Sequence, residues 1–140
     1  MNRFLLDTNI PSETLRPQPD AKVSAWLQAQ AKGDQFLSVV TFGELRRGIE
    51  LLAPGTKRSK LEFFIEVTAP VWFGGRVLPV TQAIAERWGV IEAQRQNVGR
   101  PLGVPDGLIA ATALEHDLIL VTRNVKDFVG LGLTILNPWD

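Results

Sequence analysis

The 140-residue chain has no cysteine, which excludes disulfides and thiolate-held metals. It has a single histidine, His116, which argues against an imidazole-held zinc and against a Ser-His triad. A bound metal would therefore take oxygen ligands, the chemistry of Mg²⁺ or Mn²⁺. Neither sign of charge dominates. With 15 basic and 15 acidic side chains, the protein is not expected to hold nucleic acid by bulk charge. A local basic groove stays open, because Arg46, Arg47, Lys57, Arg58 and Lys60 crowd one region, although solvated helix faces explain them first. No apolar run approaches the ~20 residues that span a membrane. The first residues carry one Arg and too short an apolar stretch for a signal peptide, so an intracellular, cytoplasmic protein is expected. There is no repeat, low-complexity tract or long linker. At 45% apolar and 21% charged residues the composition is that of an ordinary soluble domain, and the length suits one domain over residues 1–140.

What is present is an alternation of short strands and helices. Arg3–Asp7 reads as a buried strand. Pro11-Ser12-Glu13 starts a helix that Pro17 and Pro19 break. A helix from Asp20 carries Val23, Trp26 and Leu27 at helical spacing, and Gln35–Val40 is a second strand. Thr41–Leu52 is helical up to Pro54-Gly55, and Ser59–Thr68 is helical again. Arg76–Val80 is a third strand, Thr81–Gln96 a long helix with Ile84, Trp88 and Ile91 inward, and Val98–Val104 a Gly/Pro-rich loop. Pro105–Asp117 is an apolar helix of small residues. Leu118–Thr122 and Thr134–Leu136 are the last strands. This order predicts an α/β sandwich with a mainly parallel sheet, whose ligands bind at the carboxyl ends of the strands.

Polar residues collect at those ends. The first strand stops on Asp7-Thr8-Asn9. Glu44 follows the second strand in Thr41-Phe-Gly-Glu44, where a capping box with Thr41 at N-cap and Glu44 at N3 is the plainer explanation. Asp106 opens a helix in Pro105-Asp106-Gly107, where an acid also suits the helix dipole. Thr122-Arg123-Asn124 and Asp127 follow another strand, where turn chemistry would account for them. Each signal is weak alone. Together they gather carboxylates that repel one another, an arrangement a divalent cation neutralises. Such an ion activates water and stabilises in-line attack on phosphate.

Leu5-Leu-Asp-Thr-Asn9, Thr41-Phe-Gly-Glu-Leu-Arg-Arg-Gly48, Asp106-Gly-Leu-Ile-Ala-Ala-Thr-Ala113, Leu120-Val-Thr-Arg-Asn124, Asp127-Phe128 and Leu136-Asn-Pro-Trp139 together resemble PIN-domain proteins, nearest to the VapC/FitB-type toxins of toxin–antitoxin pairs. The resemblance covers essentially the whole chain. It implies a three-layer α/β/α sandwich and a Mg²⁺- or Mn²⁺-dependent endoribonuclease whose product carries a 5′-phosphate. It places Asp7 and Asp106 as main metal ligands. Glu44 would bind metal or orient the nucleophile, Thr8 and Thr122 would sit at the rim, and Asn124 would occupy a fourth catalytic position. Many members have an acid where Asn124 stands. Asn124 offers only a carbonyl to metal-bound water, and Asp127 is the candidate to compensate. The resemblance also implies an RNA substrate, a cognate antitoxin that places a basic side chain among the carboxylates, and a homodimer, for which Trp26, Phe63, Phe64, Trp72 and Phe73 are candidate contacts.

Two other readings compete. A phosphatase of the haloacid dehalogenase type uses a strand-end Asp as nucleophile, but it wants a second acid two positions on, where this chain has Asn9. A catalytically weak or inactive module that binds only antitoxin or RNA is the alternative suggested by Asn124.

Overall fold

The structure, a computed structural model, describes residues 2–140. Five short strands build the sheet: β1 Phe4–Leu6, β2 Gln35–Ser38, β3 Val77–Leu78, β4 Ile119–Val121 and β5 Ile135–Leu136. Their order is β3-β2-β1-β4-β5, and every pairing is parallel.

Successive residues of a strand point to opposite faces, and here both faces are buried. Phe4, Leu6, Leu37, Val77, Val121 and Leu136 belong to or pack on one core, shared with helix residues Ile10, Leu45, Ile49, Phe64 and Phe73. Leu5, Phe36, Leu78, Leu120 and Ile135 belong to or pack on the other, with Ile84, Ile91, Ile109 and Ala113. Strands covered on both faces must be apolar throughout, which explains the Phe-Leu-Leu and Ile-Leu-Val runs. The result is the three-layer α/β/α arrangement.

The first layer holds α1 (Asn9–Thr14), α2 (Ala21–Ala29), α3 (Val39–Glu50), α4 (Thr56–Phe63) and α5 (Ala69–Phe73). Asp20 caps α2 by accepting from the Lys22 and Val23 amides. Between α4 and α5, Phe64–Thr68 winds as a π-helical segment, so the expected 59–68 helix starts earlier and runs further. On the other side, α6 (Gln82–Asn97) lies against α7 (Val104–Glu115). Gly107 of α7 allows this approach. A Cβ there would meet Trp88 Nε1 at 2.7 Å and the ring beside it.

Several expected boundaries shift. The second strand ends at Ser38, not Val40, because Ser38 caps α3 by accepting from the Val40 amide at 3.0 Å. Thr41 therefore lies inside α3 and forms no capping box with Glu44. The third strand shrinks to two residues. Of the aromatic residues considered as dimer contacts, Phe64 and Phe73 are buried and Trp26 packs edge-on against Phe4 at 4.9 Å. Phe63 and Trp72 are exposed. Among the described residues no helix is long and apolar enough to cross a membrane.

Candidate active site

The chain leaves β1 outward to β2 and β3, then returns to place β4 and β5 on the opposite side. The β1–β4 boundary is thus the topological switch point, where open parallel sheets keep their ligand sites. Asp7 follows β1 at that point, and its amide extends the ladder by donating to the Val121 carbonyl at 2.9 Å.

Asp7 is 4% exposed and its carboxylate is well provided with donors. Thr122 Oγ1 donates to Oδ2 at 2.7 Å and the Asn9 amide nitrogen reaches the same oxygen at 3.3 Å. The Thr8 amide donates to Oδ1 at 2.8 Å. The Asn9 amide also donates to Thr122 Oγ1 at 3.2 Å, and its own oxygen receives the Arg123 amide at 3.4 Å. Burial still outweighs these donors and raises the Asp7 pKa, with the charges of Glu44 and Asp127 adding to the rise.

Glu44 is fixed from the facing helix. Thr8 Oγ1 donates to Glu44 Oε1 at 2.5 Å and lies 3.0 Å from Thr41 Oγ1. Thr41 is fully buried, so the residue expected as a cap is part of the framework under Glu44. Asp106 stands in the first turn of α7. Burial lifts its pKa to about 6, helped by the negative charges of Asp7, Glu44 and Asp127.

The structure thus brings Asp7, Thr8, Glu44, Thr122 and Asp106 to one end of the sheet, with Asp127 within electrostatic reach. Asn124 is exposed and takes part through its backbone, its amide donating to Thr122 Oγ1 at 3.1 Å. Asn9 and Thr41 were not singled out from the sequence as site residues. For Asn9 the polar run at the strand end was the available signal. For Thr41 the competing cap explanation hid it.

The donors are carboxylates, hydroxyls and an amide, a set that fits a hard divalent cation. Among the described residues no three acidic side chains stand close enough to hold one ion jointly, so a cation here would take one or two carboxylates directly and reach the rest through water, as Mg²⁺ commonly does.

Beside the acids runs a groove of about 890 Å³. Thr8, Asn9 and Glu44 line its inner end; Leu15, Leu45, Leu52 and Leu61 its floor; and Arg16, Lys57, Lys60 and Arg123 its basic side chains. Arg123 rests over the Trp139 ring, 5.2 Å from its centroid. Lys57 and Lys60, from the basic run, thus face the groove. Arg46 and Arg58 are instead engaged by Glu50, Glu62 and Glu66.

Comparison with known proteins places this fold in a family. Toxin FitB of Neisseria gonorrhoeae is 39% identical over 136 residues, covering 97% of this chain and 98% of FitB. VapC ribonuclease Y4jK of Sinorhizobium fredii is 36% identical, covering 98% of each chain. The crystal structure of FitAcB from Neisseria gonorrhoeae superposes with a TM-score of 0.88 at 39% identity, over 97% of this chain and 98% of that one. Residues 4–129 match the PIN domain, and the chain belongs to the PIN domain family.

Proposed function

We propose that this protein is the toxin of a toxin–antitoxin pair and acts in the cytoplasm as a Mg²⁺- or Mn²⁺-dependent endoribonuclease. The observation that carries the reading is the placement of a buried, donor-rich Asp7 at the switch point, with Glu44 and Asp106 converging on the same end of the sheet. The ribonuclease name of a relative 36% identical over 98% of both chains supports the same activity.

Asp7 and Asp106 would be the main ligands of the cation, with Glu44 reaching it directly or through water, and the ion would supply a nucleophilic water at neutral pH and a counter-charge for the phosphate. The protein's own contribution is orientation. Thr122 and Asn9 hold Asp7 Oδ2, Thr8 holds Oδ1 through its amide and Glu44 through its hydroxyl. Attack in line forms a new P–O bond to water and breaks the P–O3′ bond, leaving a 5′-phosphate on one product and a protonated 3′-hydroxyl on the other. Glu44, held from behind by Thr8, is placed to orient the nucleophile.

An apolar floor with a basic rim suits an amphipathic protein segment whose acidic side chains meet Arg16, Lys57 and Lys60. A basic side chain at its end would pair with the carboxylates in place of the cation. This is the supporting argument for an antitoxin partner, as is the toxin name of FitB. Exposed Phe63, Val67, Val71 and Trp72 are the apolar residues on which a homodimer would rest.

The test is cleavage of a mixed structured-RNA pool by the purified chain with Mg²⁺, Mn²⁺ or EDTA, alongside Asp106→Asn checked for folding. Metal-dependent cutting by wild type alone is expected. Asn124, exposed and uncharged, favours the second reading, a binding module without activity. Antitoxin or RNA binding with no cutting under any metal would establish that reading instead.

A further inference from the structure

The buried face of α6 carries Ile84, Ile91 and Arg95. An arginine continuing an apolar stripe is unusual, since guanidinium is costly to bury unless its donors are satisfied. Arg95 is 8% exposed. Among the described residues no carboxylate lies within 4.0 Å of it. Its partners are three backbone carbonyls. Nε donates to Arg100 at 3.0 Å, Nη1 to Val129 at 3.0 Å and Nη2 to Asp127 at 2.7 Å. A planar fork can serve three separate acceptors at once, and an ammonium on a flexible stem cannot reproduce that geometry.

Those carbonyls belong to two segments. Arg100 sits in the loop between α6 and α7, which feeds the first turn carrying Asp106. Asp127 and Val129 follow β4, downstream of Thr122. Neither segment has strand or α-helical pairing at these positions. The 125–127 stretch is a single 3₁₀ turn closed by the Asp127 and Phe128 amides. Phe128, between the Asp127 and Val129 carbonyls, is anchored in the core, and the Arg100 amide donates to the Arg95 carbonyl at 2.8 Å. The Arg95 side chain adds the direct tie between the two loops, one leading to Asp106 and the other bearing Asp127.

We propose that Arg95 is a positioning residue for the acidic site, locking the Asp127 segment and the loop before Asp106 into one frame so that both carboxylates are presented where Asp7 stands. It acts through the backbone and touches no reacting atom. The inference rests on the reading of this site as a cation site. It deepens that reading by giving Asp127, at the uncharged Asn124 end, a held place in the charge balance.

The experiment is calorimetric titration of MnCl₂ into wild type, Arg95→Lys, Arg95→Met, Asp127→Asn and the Arg95→Lys/Asp127→Asn double variant, each checked by thermal unfolding. Hydrogen exchange of the Asp127 and Phe128 amides is measured alongside. Wild type binds Mn²⁺. Arg95→Lys, which keeps the charge and the fold, weakens binding roughly tenfold, the usual size of an outer-shell effect, and speeds exchange at both amides. The double variant binds no more weakly than the weaker single variant, since both act on one element. A folded Arg95→Lys that binds Mn²⁺ within twofold of wild type overturns the inference while leaving the cation site intact, and so do effects that simply multiply in the double variant. Should Arg95→Met unfold, Arg95→Lys decides alone. Wild type that takes no Mn²⁺ overturns the cation site itself, and the inference with it.

Discussion

Replacing Asp106 by Asn should stabilise the metal-free protein at neutral pH, although it removes a residue assigned to the site. Burial and the charges of Asp7, Glu44 and Asp127 raise the Asp106 pKa from 3.8 to about 6. A carboxyl whose folded pKa lies above its unfolded value binds its proton more tightly in the folded state. Below pH 3.8 the group is protonated in both states and contributes nothing. From there to about 6 the unfolded chain ionises first, so stability falls as pH rises, and above about 6 the full penalty applies. Undiminished by solvent, a gap of roughly 2 pH units would amount to about 3 kcal/mol. Asp106 is only half-buried, and screening brings the expected penalty to about 1–2 kcal/mol. Asn keeps the shape and discards the charge. Urea unfolding at pH 7.5 should therefore give Asp106→Asn a midpoint roughly 0.5–1 M above wild type, given a typical slope for a domain of this size. At pH 4 the two curves should nearly coincide. Added Mg²⁺ should reverse the neutral-pH order, since it stabilises only the protein that binds it. A gain that persists undiminished at pH 4 would refute the charge argument, as would equal stability at pH 7.5 without metal.

Two further substitutions test the framework. Gly107→Ala gains about 1 kcal/mol of helix propensity but drives a methyl deep into the Trp88 ring, at a cost in the upper overpacking range, about 2–3 kcal/mol. A net loss of about 1–2 kcal/mol is expected in urea unfolding, and unchanged or greater stability would show that α6 gives way freely. Thr122→Val keeps the shape but removes the donor 2.7 Å from Asp7 Oδ2. It should destabilise by about 1.5–3 kcal/mol at pH 7.5. Thr122→Ser should restore most of that loss, and a Ser variant as weak as Val would show that packing rather than the hydroxyl matters.

The fold was legible because every strand is short and followed by a break or a helix, and all but Gln35–Ser38 are apolar throughout, so the alternation survives in the sequence. The site's location was legible for the same reason, as Asp7 and Thr122 directly terminate strands. What escaped the sequence depended on long-range contacts. Thr41 fits an N-cap locally, and only the approach of Thr8 from 33 positions away shows it inside a helix, buried beneath Glu44. Ser38, the real cap, lay within the expected strand because Val39 and Val40 prolong the apolar run. Arg95 reads as one more surface cation on a long helix, and nothing nearby in sequence announces carbonyls at 127 and 129. Phe63 and Phe64 are neighbours of the same type, and only tertiary packing sends one outward and the other inward.

The central strand has a consequence for synthesis. β1 leaves the ribosome well before β4, with which it pairs, and Asp7 waits for a hydroxyl 115 positions later. At about 5–20 residues per second, that interval lasts roughly 6–23 seconds. Through that interval the nascent chain holds Asp7 without Thr122. A chain truncated before β4 has no switch point at all, because one side of β1 is bare. Assembly of the acidic site thus waits until β4 has been made. Whatever chemistry those carboxylates perform, the topology delays it until β4 is in place.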